Sequence, residues 1–219
     1  MAARFSAQAD AGALVNFSVL ENNVEYLRVG VVETNLAAEI ESAQSTLAAT
    51  NKIAGTVLDL RFAEGGDLES AKAAADLLSK EKLPLAILVN DETRDAAAGL
   101  AADLRKARAG LIFGDSDKVK PDIAIAVKME DESNFMENPF GTLAQSETNS
   151  IASTNDSVPF VDHTSEADLV RAKIKDGDED ENTAQPPDAE LQKPFIRDPV
   201  LARAVDLIEG LAVVRQSRL

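Results

Sequence analysis

The stretch Ile53 to Asp67, IAGTVLDLRFAEGGD, decides how the rest of the chain is read. Val57-Leu58-Asp59-Leu60-Arg61 is a short apolar run with β-strand character, and it feeds into Ala63-Glu64-Gly65-Gly66-Asp67. The glycine pair there permits a tight turn before the helical pattern of Leu68 to Lys80. Outward from this unit the same alternation recurs. Leu83 to Asn90 reads as a buried strand, Asp91 to Lys106 as an Ala-rich helix and Gly110 to Gly114 as another strand. On the N-terminal side, Val15 to Leu20 and Val24 to Val32 read as a hairpin around Glu21-Asn22-Asn23. Leu36, Ile40, Ala43 and Leu47 then fall at helical spacing behind Asn35 as a potential N-cap. Strand and helix alternate at βαβ spacing, so the expected class is α/β, a mostly parallel sheet flanked by helices.

Composition narrows the function classes. With 219 residues and 45% hydrophobic content the chain can bury a sizeable core. A net charge of −16 opposes binding to phosphate backbones and anionic headgroups, so no nucleic-acid partner is expected. Cysteine is absent, which removes disulfides, thiol nucleophiles and thiolate metal sites, and no metal or other cofactor is expected. No stretch approaches the ~18 apolar residues of a membrane span, and the first residues lack the apolar core of a targeting signal.

The expected organisation is a mobile 1–14, a core over 15–127, a polar insertion or loop over 128–163, a short helix over 164–175 and an acidic linker over 176–197. A helix over 198–219 closes the chain, packing on the core or a partner. Asp198 as N-cap and Pro199 at the first helical position suit its start, and Val200, Leu201, Ala204, Leu207, Ile208 and Leu211 share one face.

In order along the chain, several segments resemble the core of the carboxyl-terminal processing, or tail-specific, serine peptidases. Ile53 to Asp67 is similar to that family's gliLDLRnNpGG, and Val24 to Ile40 to its gIgYIrI strand and following helix. Leu83 to Asn90 (LPLAILVN) resembles the strand that leads to the serine, and Lys120-Pro121-Asp122-Ile123 resembles GVxPDI. Thr164 to Leu169 resembles iTEaDL, and Asp198 to Leu211 the terminal DPqLqrAldLL helix. The resemblance implies a core of the type shared by Clp-type peptidases and crotonases, preceded by a hairpin and closed by the C-terminal helix. It also implies a periplasmic or secreted setting. The peptide-binding PDZ domain that typical members carry is not recognisable in this sequence.

Active members use a Ser-Lys pair with an oxyanion hole near the paired glycines. Here the serine position falls on Asp95, or on Arg94 if a one-residue shift is allowed. Thr93 is the only nearby hydroxyl, displaced by two positions and β-branched, and so a poor nucleophile. Lys120 lies at the right distance from Asp95 but directly precedes Pro121-Asp122-Ile123, which aligns it with the variable position of GVxPDI and not with the catalytic lysine. Gly65 and Gly66 remain, as a vestigial oxyanion cleft or as a simple turn.

Other residues have plain readings beside functional ones. Asp59 and Arg61 read as a structural ion pair before a substrate clamp, and Glu64 and Asp67 as turn carboxylates before a cation site. His163, beside Asp162, reads as a loop histidine, and Asp176 to Glu181 as a solvated linker without EF-hand register. The sequence therefore points to a peptidase-like module without the catalytic pair, binding a peptide or apolar ligand or acting as a scaffold. Such a module would associate as a homo-oligomer or with a paralogous peptidase through the Leu207–Leu211 face. The alternatives are a peptidase using Thr93 and a crotonase-like acyl-thioester enzyme using Asp95 or Glu92.

Overall fold

The computed structural model describes residues 13–137, 139–142 and 194–216. The elements are β1 (Leu14–Val19), β2 (Val24–Val29), α1 (Leu36–Ala48), β3 (Gly55–Asp59), α2 (Leu68–Leu78), β4 (Leu85–Val89) and α3 (Asp95–Ala107). They continue with β5 (Leu111–Gly114), β6 (Ile123–Ala124), α4 (Met129–Glu137), β7 (Phe140–Thr142), β8 (Pro194–Ile196) and α5 (Pro199–Gln216). The chain divides into two compact units, 1–139 with 196–219, and 140–195. β7 and β8 pair in a two-stranded sheet.

The larger unit is built on a six-stranded sheet in the order β1-β2-β3-β4-β5-β6. β1 pairs antiparallel with β2 through a hairpin, and every later pair is parallel. Strand order follows chain order, so each right-handed crossover delivers its helix to the same face of the sheet. α1, α2 and α3 accordingly pack side by side in sequence. The opposite face is left for α5, which lies across β2, β3, β4 and β5.

The two coverings explain why the strands read as continuous apolar runs instead of alternating ones. Leu27, Leu58, Ile87, Val89 and Ile112 join the core shared with Ile40, Ala74, Leu100 and Leu104 of the three helices. Val24, Val57, Ala86, Leu88 and Phe113 point the other way, against Val200, Leu201, Ala204, Val205 and Ile208 of α5. Small residues at the sheet-facing positions of α2 and α3, such as Ala71, Ala74, Ala97 and Ala101, are buried in this core.

The expected hairpin, parallel sheet and closing helix are all present, with shifts at element ends. α3 begins at Asp95 and not at Asp91, because Asn90 to Thr93 form a turn: the Thr93 N–H donates to the Asn90 carbonyl at 3.0 Å. Asn35 sits at the N-cap of α1 without a side-chain capping bond. Asp198 does cap α5, its Oδ1 accepting from Val200 N at 2.9 Å and Leu201 N at 3.1 Å. The stretch beginning at 128, read from sequence as an insertion or loop, opens instead with α4. Its one buried residue is the acid Glu132, so a search for apolar periodicity passes over it. Residues 1–12, the proposed helix and His163 within 143–193, and most of the acidic linker lie outside the described residues.

One buried carboxylate works against this fold at neutral pH. Glu25 is 2% exposed; its Oε2 accepts from Thr56 Oγ1 at 2.8 Å and Gln44 Nε2 at 3.4 Å, and its Oε1 has no partner. Burial raises its pKa against those two hydrogen bonds, and nearby Glu81 pushes it further up. The folded protein therefore holds the proton more tightly than the unfolded chain, and stability falls as pH rises through the window above the ordinary carboxylate value. Denaturant titrations should find Glu25→Gln more stable than wild type near pH 7, with the gap closing at about pH 4 where both forms are neutral.

Candidate functional site

The candidate site gathers at the carboxyl ends of β3 and β4, where α/β sheets commonly present their chemistry. It has two layers, a buried ion cluster and a glycine-containing turn beside it.

Arg61, 1% exposed, is the centre of the buried layer. Its Nε donates to Asp59 Oδ1 at 3.0 Å and its Nη2 to Asp59 Oδ2 at 2.7 Å, a bidentate fork. The Arg61 backbone N–H also donates to Asp59 Oδ1, and the Tyr26 hydroxyl donates to Oδ2 at 2.8 Å. On the other side Nη1 lies 2.7 Å from Asp198 Oδ2, a charge contact without hydrogen-bond alignment, and 3.8 Å from Glu132 Oε1. Burial by itself would push the Asp59 carboxyl up, but the charge and hydrogen bonds of Arg61 outweigh it and hold Asp59 below its usual value. The reciprocal effect raises the guanidinium, which burial alone would depress. Burial and the Asp59 charge together push the Tyr26 phenol well up. Every group here is locked by its neighbours, which is the arrangement of a structural joint. Asp59 and Arg61 thus form the ion pair expected from sequence, extended to Asp198 and Glu132.

The second layer holds the residues singled out by the motif. Glu64 is stitched to the end of β2: its N–H donates to the Gly30 carbonyl, and its own carbonyl accepts from Val32 N at 2.7 Å. Gly65 has φ 132, and a Cβ there would lie 2.4 Å from the Val32 carbonyl oxygen, so the position requires glycine. A Cβ on Gly66 would meet nothing within 4 Å. The Gly65 carbonyl accepts from Ala96 N at 2.8 Å, and Arg94 N donates to the Ala63 carbonyl at 2.9 Å, which fastens the turn to the start of α3. Among the described residues the amides of Gly65 and Gly66 donate no hydrogen bond. Asp67 spends its Oδ1 capping α2 through Ser70 N at 2.9 Å, and Glu64 is exposed.

Asp95 is the first residue of α3 and stands beside this turn, exposed, at φ 49. A non-glycine residue in that region stores about 1–3 kcal/mol of strain. Arg94 is half exposed and pairs with Glu92 at 2.7 Å. Thr93 is fully buried: Oγ1 donates to the Leu60 carbonyl at 2.9 Å and accepts from Asn90 N at 3.0 Å. Its hydroxyl ties the β3 and β4 ends together and is turned away from solvent. Lys120 is exposed, in the turn before β6, where its carbonyl accepts from Arg105 Nη1. Asp122 of the same motif takes the Ile112 N–H at 2.9 Å and pairs with Arg105, closing the β5 edge. The structure therefore brings Gly65, Gly66, Arg94 and Asp95 together, while the Thr93 hydroxyl bonds to Leu60 and Asn90 and Lys120 lies exposed before β6.

A cleft of about 130 Å³ adjoins the ion cluster, lined by Asn90, Asp91, Asp115, Ile125, Val127, Met129 and Glu132. Glu132 was not legible as a site residue in the sequence; a single acid in a polar stretch carries no signal until α4 is seen to dock it. Among the described residues there is no cluster of three or more His, Cys, Asp and Glu able to hold a metal ion. No described helix is long and apolar enough to cross a membrane.

No family model matches this chain, and no curated protein matches it. Similar solved structures include a photosystem II D1 C-terminal processing protease, at 19% identity and TM-score 0.41 over 49% of this chain and 45% of that one. A candidate peptidase from Parabacteroides merdae ATCC 43184 is 12% identical, with TM-score 0.44 over 57% of this chain and 61% of that one. A lipoprotein from Streptococcus agalactiae is 10% identical, with TM-score 0.38 over 55% of this chain and 68% of that one. This chain thus spans less than two thirds of the first two proteins. With every TM-score below 0.5, none of these likenesses bears on what it does.

The geometry separates two threonine variants and two glycine variants. Thr93→Ala leaves the Asn90 amide without its partner and the Leu60 carbonyl with the Ala63 N–H alone, and should cost about 1–3 kcal/mol in denaturant unfolding, while Thr93→Ser should cost less than half as much. Gly65→Ala should cost well over ~1 kcal/mol, and Gly66→Ala should be near neutral by the same measurement.

Proposed function

We propose that this chain is a non-catalytic relative of the tail-specific serine peptidases, with a Clp-type and crotonase-like core, that binds an extended peptide or apolar ligand or serves as a scaffold. The observation that carries the reading is Asp95. It occupies the position the sequence resemblance assigns to the nucleophile, or the one beside it if a one-residue shift puts that position on Arg94, at a strained φ of 49, next to a glycine turn whose amides donate no bond among the described residues. Strained backbone of this kind is kept at functional sites, and here the elbow bears a carboxylate in place of a hydroxyl. Among the described residues no lysine pairs with Asp95, and a carboxylate by itself has no route to the family's acyl-transfer chemistry, which needs a hydroxyl nucleophile and an amine base.

The burial of Thr93 supports the same reading against a displaced nucleophile. Its hydroxyl is spent on Leu60 and Asn90, and an attacking oxygen must be able to reach a substrate carbonyl. The position of Lys120 supports it from the side of the base, since its side chain is exposed and, among the described residues, bonds to none of Thr93, Arg94 and Asp95.

The test is mass-spectrometric detection of products when the protein is held with an unfolded substrate protein and with peptides ending in apolar residues. Intact substrates are expected with wild type and with Asp95→Ala. Turnover that Asp95→Ala or Thr93→Ala removes, in a variant whose circular dichroism is native, would overturn the proposal and make this an active peptidase with another nucleophile.

A further inference from the structure

Helix α4 is held to the larger unit in an unusual way. Its first turn carries Glu130, Asp131 and Glu132, and of its nine residues Glu132 is the buried one. Met129 is half exposed, and Phe135 and Met136 are partly buried. A helix with so little apolar surface gains little from burial, so its position depends on polar contacts. The hydrogen bonds from its side chains and last turn to the sheet are few. Asn90 Nδ2 donates to Glu132 Oε2 at 3.0 Å, and Arg28 Nη1 reaches the Met136 carbonyl at 3.5 Å.

The surroundings of that one anchoring carboxyl are electrostatically adverse. Arg61 of the β3 end is 3.8 Å from Glu132 Oε1, but its charge is already engaged at 2.7 Å by both Asp59 and Asp198. Asp91, following β4, and Asp115, following β5, line the same cleft as Glu132. Asp198 stands at the start of α5, and Glu130 and Asp131 precede Glu132 on its own helix. Tyr26 of β2, bonded to Asp59, is neutral. One guanidinium thus faces two closer carboxylates before Glu132 arrives, and an ionised Glu132 adds a third negative charge at a largely buried position on the cleft wall. Burial, the larger effect, and the Asp59 and Asp198 charges raise its pKa against the opposing Asn90 hydrogen bond and Arg61 charge.

We infer that α4 is a proton-controlled strap over the cleft at the carboxyl ends of β4 and β5: neutral Glu132 holds it down on Asn90, and ionisation of Glu132 loosens it. The docked helix holds the proton more tightly than the released one, where Glu132 returns to its ordinary value. Docking is therefore strongest below that ordinary value and weakens as pH rises through the raised one. Loosening uncovers Asn90 and the Arg61 side of the cluster, so access to the cleft increases with pH. This inference rests on Glu132 and its neighbours and is independent of the peptidase-like reading.

Hydrogen exchange of the full chain, followed peptide by peptide from about pH 4 to about pH 8 and corrected for intrinsic exchange, tests it. Wild type should lose protection in 129–137 several-fold as pH rises, while α1, α2 and α3 keep theirs. Glu132→Gln, neutral at every pH and able to accept from Asn90, should stay protected across the range. Glu132→Ala, lacking the anchor, should be unprotected there throughout. Protection in 129–137 that is flat with pH in wild type, or that falls equally in Glu132→Gln, overturns the inference. Protection in α1 to α3 reports separately that each variant is folded.

Discussion

The buried guanidinium of Arg61 is the interaction on which the rest of this structure depends. It sits where β3 ends, and the carboxylates that meet it at 2.7 Å come from two places in the chain, Asp59 on the same strand and Asp198 at the start of α5; Glu132 on α4 stands farther off, at 3.8 Å. A desolvated arginine is tolerated only if its charge is met at close range, and meeting it fixes the position of whatever carries the carboxylates. Asp198 has a double duty, since its Oδ1 caps α5 while its Oδ2 faces Arg61. The entry of the closing helix onto the sheet is thereby set by one residue. From there Val200, Leu201, Ala204 and Ile208 follow at helical spacing across Val57, Ala86 and Leu88.

The sequential strand order is the second constraint. Because right-handed crossovers place α1, α2 and α3 on a single face, the sheet's other face would stay wet unless something from outside the βαβ series covered it. α5 does so, and this is why the strands are apolar on both faces. The turn at Gly65 links the two constraints. It joins β3 to α2 while bonding to the end of β2 and the start of α3. Its φ of 132, with the Val32 carbonyl oxygen 2.4 Å from where a side-chain carbon would stand, leaves room for glycine alone.

Most of this was legible in the residues. The LDLR run, the two following apolar runs and the intervening helical patterns dictate a parallel sheet, because local periodicity carries that information. The Asp198-Pro199 helix start was equally readable, being a local capping signal. What the sequence did not disclose is non-local. Nothing in a polar stretch marks Glu132 as buried, since its partners Asn90 and Arg61 lie far back in the chain. Nor does local pattern show that the Thr93 hydroxyl is absorbed by Leu60 and Asn90, or that Asp198 meets Arg61. Residue pattern starts α3 four residues early because the Asn90 to Thr93 turn, closed by the Thr93 N–H on the Asn90 carbonyl, is also held by side-chain bonds, which helical propensity does not register.

The measurement that bears most directly on this account is a double-mutant cycle between Arg61 and Asp198, using Arg61→Met, Asp198→Asn and the pair, read by urea unfolding. The account predicts a cost of about 3–5 kcal/mol for Arg61→Met, which strands two buried carboxylates, and a coupling with Asp198→Asn of about 1 kcal/mol or more. Costs that add to within ~0.5 kcal/mol, with Arg61→Met nearly neutral, would contradict it and leave apolar packing alone to hold α5 on the sheet.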